Sequence, residues 1–444
     1  MGVVFKLVVE PSDNMTDTIK KNKSSAPDVT REIYGGVLNF DAAGHYPGLE
    51  LLNLVYGTVS DKLLPQEDEI RVLRTSHDFG RRLVWDEEFK TDERYASVLL
   101  NQTEAADTLK SLLHCLQLDN PNGKDVPSWS KGYFFPYTRS MIHWDGQLRA
   151  GNKVSLERRY LRGGGALCYK VLRFDPNTNR LKSIRDGFNN LYKTTSETPL
   201  EILAKFLSEQ SENDREPNLD QIEFSSSSWD DELEDLYRNG VQCLLSQEMV
   251  TSVSKVRSLM GWTSLWLVVM QHRRSFLKLE KVPPALVFDC GGGNGQLRRA
   301  AVKSLKDSMQ AIIEAVDCTA SLVNGQKNNI RSFFWATAAA VGLLNAWRGR
   351  RHFTFAVDTL EMITLATVPS GEEIPFDRFV SEILYEKLGF VVSRQAAEKA
   401  DLLSTIDASV FEENEKQLAV QMMAAGLLTQ YSDATQMVSA RGLS

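Results

Sequence analysis

Apolar and polar positions along this chain predict mostly helices, with a few short strands at turn-rich places. The run Met1 to Glu10 (MGVVFKLVVE) has strand character, and TLKSLLHCLQL, around His114 and Cys115, has helical character. Leu259 to Met270 (LMGWTSLWLVVM) is apolar on every face, which predicts a buried helix. It is shorter than the roughly 20 residues a bilayer span needs, and Lys255, Arg257, Arg273 and Arg274 bracket it. Pro283 to Leu305 passes from a short apolar run through a glycine turn into an amphipathic helical pattern. Farther on, Arg331 to Leu344 (RSFFWATAAAVGLL) predicts a helix, and Asn345 to Phe355 a turn and a β-prone run. Asp358 is placed to cap the helix TLEMITLATV. After a break at Pro369-Ser370-Gly371 the same grammar returns. RFVSEILYEKLGF follows Asp377, a helix covers Phe411 to Ala425, and a hairpin turns at Ser432-Asp433-Ala434. The expected fold class is α+β, mainly α, in several domains.

The two C-terminal passages share one sentence of sequence: a helix, then Gly-Leu-Leu, then a β-prone run. The copies are Gly342-Leu343-Leu344 and Gly426-Leu427-Leu428. This order resembles the ends of winged-helix domains over roughly residues 296–440, which implies two such units, the first inside a helical region with a glycine loop (229–358) and the second over 359–444. In addition, PSGEEIPFDRFVSEILYEKLGFVV with the later YSDATQMV resembles the tail of proteins from bacterial DNA-modification or anti-phage defence operons. That resemblance implies a non-catalytic subunit of a prokaryotic complex, with other protein subunits as partners.

Charge sharpens the picture. The chain has 444 residues, 42% hydrophobic and 25% charged, with a net charge of -7, which excludes a disordered chain and a uniformly basic nucleic-acid coat. The average hides a gradient. Arg149 to Lys193 holds eleven Lys and Arg against three acids, whereas Ser196 to Leu236 holds thirteen acids against two basic residues. The Ser- and acid-rich part reads as a linker over residues 208–228, separating an N-terminal α+β domain (1–135) and a basic segment (136–207) from the helical remainder. In the basic segment Arg158, Arg159 and Arg162 surround Tyr160 and lead into Gly163-Gly164-Gly165. Guanidinium groups, an aromatic face and backbone amides would suit phosphates and unstacked bases there. A solvated face neutralised by the neighbouring acids is the competing reading. Arg348, Arg350 and Arg351 give the first predicted wing the same potential. Phe333, Phe334, Trp335 and the alanines of the preceding helix offer little to read a base edge, so DNA binding with little sequence specificity is expected. Glu412, Glu413 and Glu415 make the last unit a protein-docking module instead.

The glycine turn supports a second reading. Asp289, Gly291, Gly293 and Gly295 form D-x-G-x-G-x-G between a strand and a helix. This spacing resembles the first motif of class I S-adenosylmethionine-dependent methyltransferases. The resemblance implies a turn passing under the cofactor, with Asp317 in the role of the ribose-binding acid; a purely structural turn is the alternative. Other chemistry has no signature. The five cysteines and six histidines form no C-x-x-C, H-x-x-x-H or H-E-x-x-H pattern, and no nucleophile sits beside a base. The leading expectation is therefore a cytoplasmic, nucleic-acid-associated or scaffold subunit with no cofactor, no catalytic residues and no membrane segment.

Overall fold

The structure, a computed structural model, describes residues 25–38, 46–67, 69–74, 138–139, 146–149, 153–156, 163–193, 201, 218–223, 231–291, 293–345, 350–432 and 435–440. These residues form an α+β fold that is mainly α. No helix among them is long and apolar enough to cross a membrane. Arg158, Arg159, Arg162 and Arg348 lie outside the described residues, as do the N-terminal run, the His114–Cys115 stretch and the hairpin tip at Asp433-Ala434.

In chain order the first elements are α1 (Ala26–Tyr34), α2 (Tyr46–Gly57), β1 (Glu69–Arg74) and the hairpin β2 (Gly146–Arg149) with β3 (Lys153–Leu156). Then come α3 (Gly165–Arg173), α4 (Thr178–Leu191), β4 (Asn218–Glu223), α5 (Asp231–Ser246) and α6 (Ser252–Lys278). Part of the acidic stretch read as a linker is thus a strand: β4 pairs antiparallel with β1. The axis of the fold is α6, 27 residues long and so roughly 40 Å. Thr251 caps it by accepting the Ser254 amide. Leu259 to Met270 form an unbroken buried run within it, as expected of a helix that is apolar all round and surrounded by other elements. Helices α1, α2 and α5 pack along it. Gly240 of α5 lies against Trp262, where a Cβ would come within 2.2 Å of the ring. One buried cluster runs from Val29 to Val438, across the boundaries read from the sequence.

The remaining elements are β5 (Leu286–Val287), α7 (Gly295–Thr319), α8 (Asn324–Ala340), α9 (Val357–Thr367) and β6 (Glu373–Pro375). A helical turn at Phe376–Arg378 runs into a π-helix, Phe379–Lys387. The chain continues through β7 (Phe390–Val391), α10 (Arg394–Lys399), α11 (Ala408–Ala424), β8 (Leu428–Ser432) and β9 (Thr435–Ser439). The helix predicted from Arg331 in fact starts at Asn324, although Asn and Gly are poor helix formers and Val323 supplies no side-chain cap.

Two successive stretches of this region share one backbone plan. In the first, α6 leads through β5 into α7 and α8, and the chain returns through residues 343–345 and 352–354 as an antiparallel ladder. The Asp289 amide donates to the Phe353 carbonyl at 3.0 Å, so the return strand lies in the middle of three. In the second stretch α9 leads through β6 and further helices into α11, and β8 and β9 return in the sheet order β6-β9-β8. Again the last strand is central. The helix-to-strand junctions match atom for atom. Gly342 and Gly426 take left-handed φ of 75° and 71° just past α8 and α11. The amides of Leu343 and Leu427 then reach back to the carbonyls of Ala338 and Met422 at 2.9 and 2.8 Å, a Schellman closure in both cases. The amides of Thr354 and Ser439 donate to the carbonyls of Leu343 and Leu427, each at 3.1 Å. A parallel pairing of β5 with β7 ties the two stretches, hereafter the first and second repeats, together.

Candidate functional site

The glycine turn begins at the buried end of β5. Phe288 stacks on Phe355 with ring centroids 4.3 Å apart, which fixes the strand, and Asp289 follows with its side chain almost wholly buried. The Asp289 carboxylate lies 3.5 Å from Arg298 Nε of α7 and 3.6 Å from His352 Nε2 of the return strand. It therefore binds the start of α7 to the base of the first wing. The turn itself is held by α11 of the second repeat. Asn414 accepts the Cys290 amide at 2.8 Å and donates to the carbonyls of Phe288 and Val392 at 3.0 and 2.9 Å. Gln421 donates to the Cys290 carbonyl. Gln417 lies over Gly291, where an added Cβ would meet its Cγ at 2.6 Å. Asn294 caps α7 by accepting the amides of Gln296 and Leu297.

These contacts do not fit the cofactor arrangement. Among the described residues β5 pairs in parallel with the two-residue β7 alone. Asp317 ends no strand; it lies in the last turn of α7, paired with Lys327. At 1.5 Å per residue it is roughly 33 Å along the helix from Gly295. The structure thus brings Asp289, Gly291, Gly293 and Gly295 together and sets Asp317 apart. Side chains of the second repeat fill the place beside Gly291, while Gly293 and Gly295 face open space.

The glycine run at Gly163 is also claimed from within. The amides of Gly163, Gly165 and Ala166 donate to the fully buried Glu50 carboxylate of α2 at 3.1, 3.0 and 3.2 Å. An internal carboxylate occupies the helix N-terminus that the sequence offered to phosphate. Gly165 permits this approach, since a Cβ there would lie 2.4 Å from the Pro47 carbonyl.

The two repeats differ in charge, although Lys387 and Lys416 of the second repeat are also exposed and make no ion pair among the described residues. From Ser252 to Ala356 the sequence has 15 Lys and Arg against 5 acids, and from Val357 to Ala440 it has 5 against 14. Arg299, Lys303, Lys306 and Arg350 are exposed, and among the described residues they make no ion pair. Arg351 lies over the Trp335 ring of α8, 4.7 Å from its centroid, which seats the wing on that helix. In the second repeat Arg378, Arg394 and Lys399 are all consumed by Glu382, Glu412 and Glu386. The α7 cations were absent from the sequence-derived set, although Arg298, Arg299, Lys303 and Lys306 recur at helical spacing around the buried Leu297, Ala301 and Leu305.

A cleft of about 760 Å3 between α5, α9 and the π-helix includes Cys243, Asp235, Arg273 and Glu386. Burial pushes the Cys243 thiol up to about 11, so it is protonated at neutral pH. Among the described residues no group of three or more His, Cys, Asp or Glu is placed to hold a metal ion. No known family matches the chain, and neither a curated protein nor a solved structure is significantly similar to it.

Proposed function

We propose that this protein is a non-catalytic, nucleic-acid-associated subunit of a larger assembly, built on two winged-helix-like units with divided roles. The observation that carries the reading is the repeated plan with opposite charge. Each repeat places helices before a three-strand set whose last strand is central. The first repeat has 15 Lys and Arg against 5 acids where the second has 5 against 14, with Arg299, Lys303, Lys306 and Arg350 exposed and without an ion pair among the described residues. Arg350 and Arg351 on the wing, with Arg298, Arg299, Lys303 and Lys306 on α7, contact phosphates. Arg158, Arg159, Arg162 and Arg348, outside the described residues, are proposed as further phosphate contacts on their sequence pattern. The acidic second repeat, which would repel a phosphate backbone, docks a protein partner. The resemblance of its tail makes a prokaryotic defence or DNA-modification complex the setting of this proposal.

The test is fluorescence anisotropy with duplex and single-stranded probes across a salt series. Binding should weaken linearly in log–log form, with a slope of about 0.9 per neutralised phosphate on duplex DNA. Charge reversal of Arg298, Arg299, Arg350 and Arg351 together should abolish it. Undetectable binding at low salt, or binding indifferent to that reversal, would remove the reading.

A further inference from the structure

We infer that the N-terminal half of α8 reads base edges in the major groove of duplex DNA, so that binding by the first repeat is sequence-specific. The inference rests on the phosphate-contact reading above and goes beyond it. It also departs from the expectation of little specificity, which took the helix to begin at Arg331. The first seven residues, Asn324 to Ile330 (NGQKNNI), lie ahead of that point.

The helix has two unlike faces. Ile330, Phe333, Phe334, Thr337 and Ala338 are buried against the core, and the Ile330 carbonyl accepts from Gln271 of α6 at 3.0 Å. The other face carries Asn324, Asn328 and Asn329, all exposed, with Ser332 half-exposed on the following turn. Residues three and four apart share a helix face, so Asn324, Asn328 and Ser332 form one stripe that continues toward Trp335. Among the described residues none of these three asparagines makes an internal hydrogen bond, and none caps the helix, whose N-cap position is Val323. Asparagine weakens a helix interior because its side chain competes for the backbone. Three of them in six residues, each with an unused amide pointing to solvent, serve neither the helix nor the core.

An asparagine amide can donate to and accept from adenine at N6 and N7 at once, and the roughly 12 Å major groove of B-form DNA admits one α-helix. Arg331 borders the stripe; its Nε is buried without a hydrogen-bond partner, and among the described residues its guanidinium makes no ion pair. Phosphate-contacting groups stand at the far end of the helix. There Arg351 lies over Trp335, and Asp289 links the wing base at His352 to Arg298. A cationic wing at one end and an amide stripe along the helix fit a duplex with its groove laid across α8. The A-form duplex of RNA, whose major groove is deep and narrow, does not fit.

The full-length protein should first be used to select from a randomised duplex DNA library. Enriched duplexes should share a short motif with adenine at fixed positions. Asn328→Ala should then lower affinity for the selected duplex about tenfold or more. Its affinity for a scrambled duplex at the same salt should change less than twofold. Both positions are exposed, so Asn324→Ala and Asn328→Ala should leave the thermal transition unchanged or raise it, which separates lost reading from lost folding. If every duplex binds alike with strong salt dependence, this inference is overturned while the phosphate-contact reading stands. If neither duplex binds at low salt, both are overturned. A preference for double-stranded RNA, or an Asn328→Ala effect equal on selected and scrambled DNA, also sinks the base-reading role.

Discussion

The first and second repeats use the same backbone plan and nearly opposite surfaces. Their glycine closures, back-reaching amides and central last strands superimpose in kind. Yet one carries 15 basic residues against 5 acids and the other 5 against 14. The helices at equivalent places have diverged most. In α8 Asn324, Asn328 and Asn329 are exposed and make no internal hydrogen bond among the described residues. In α11 the polar side chains Asn414, Gln417 and Gln421 point into the molecule and hold the turn at Cys290. One backbone plan thus carries two uses of its polar side chains: Asn414, Gln417 and Gln421 of α11 face the turn of the first repeat, whereas Asn324, Asn328 and Asn329 of α8 are exposed.

The clamp is the place where this difference can be broken with the largest effect. Replacing Asn414 by Ala leaves the Cys290 amide and the carbonyls of Phe288 and Val392 without their side-chain partner in a buried setting. Unsatisfied buried groups cost about 1–3 kcal/mol each, so a loss of about 4 kcal/mol is expected in urea denaturation. An equally drastic change on the outward side of α8, Asn328→Ala, should cost nothing by the same assay. Equal losses would mean that α8 too is spent on the fold.

Acid separates the repeats next. His272 of α6 is buried, and burial pushes it down to about 4. Its Nε2 lies 2.9 Å from the Pro284 carbonyl, which can only accept, so that nitrogen carries the proton and Nδ1 takes the Ser308 hydroxyl at 2.9 Å. With a folded value below the unfolded one near 6.5, the unfolded chain binds more protons between the two. Stability should therefore be intact above about pH 6.5 and fall as pH drops toward 4, by about 3 kcal/mol. His272→Gln should flatten that slope in pH-dependent unfolding. The second repeat has no histidine. Its half-buried Glu415 is shifted the other way, raised first by burial and then by Asp377 and Glu412. Protonation of Glu415 on acidification favours the folded state, so the contribution of this one group has the sign opposite to that of His272.

Charge reversal distinguishes the surfaces at a smaller scale. The pair Arg350→Glu and Arg351→Glu should reduce affinity for duplex DNA about thirtyfold and flatten the salt slope by about two contacts. Glu412→Lys with Glu413→Lys in the second repeat should leave affinity within about threefold of the parent, since the screening length is only about 8–10 Å at moderate salt. A large gain from the second pair would place the acidic face beside the nucleic acid.

How much of this was legible beforehand depends on distance along the chain. The buried middle of α6 is evident in LMGWTSLWLVVM, and the two Gly-Leu-Leu closures announce the repeat, because both signals are local. The start of α8 is not legible, since Asn324-Gly325 reads as a loop and Val323 gives no capping signal. Nothing near Gly163 or Cys290 reveals what fills the adjoining space. Glu50 comes from 113 residues away and Asn414 from 124, and a glycine turn looks the same in sequence whether a ligand or a side chain of the same protein occupies it.

The finest distinction lies in the closures themselves. Both glycines sit at left-handed φ, where a Cβ costs roughly 1–2 kcal/mol. Gly426→Ala should show about that loss alone. At Gly342 the added Cβ would also lie 2.5 Å from Ala356 Cβ and 2.5 Å from Thr359 Oγ1, and Thr359 donates to the Val341 carbonyl. Relief requires α9 to move, and α9 is both the end of the first repeat's return and the first helix of the second. Gly342→Ala should therefore cost at least about 1 kcal/mol more than Gly426→Ala in thermal or chemical unfolding. It should also weaken DNA binding modestly, because the wing that follows Gly342 carries Arg350 and Arg351. Equal losses would show that α9 yields freely and that the seam between the repeats is looser than its packing implies.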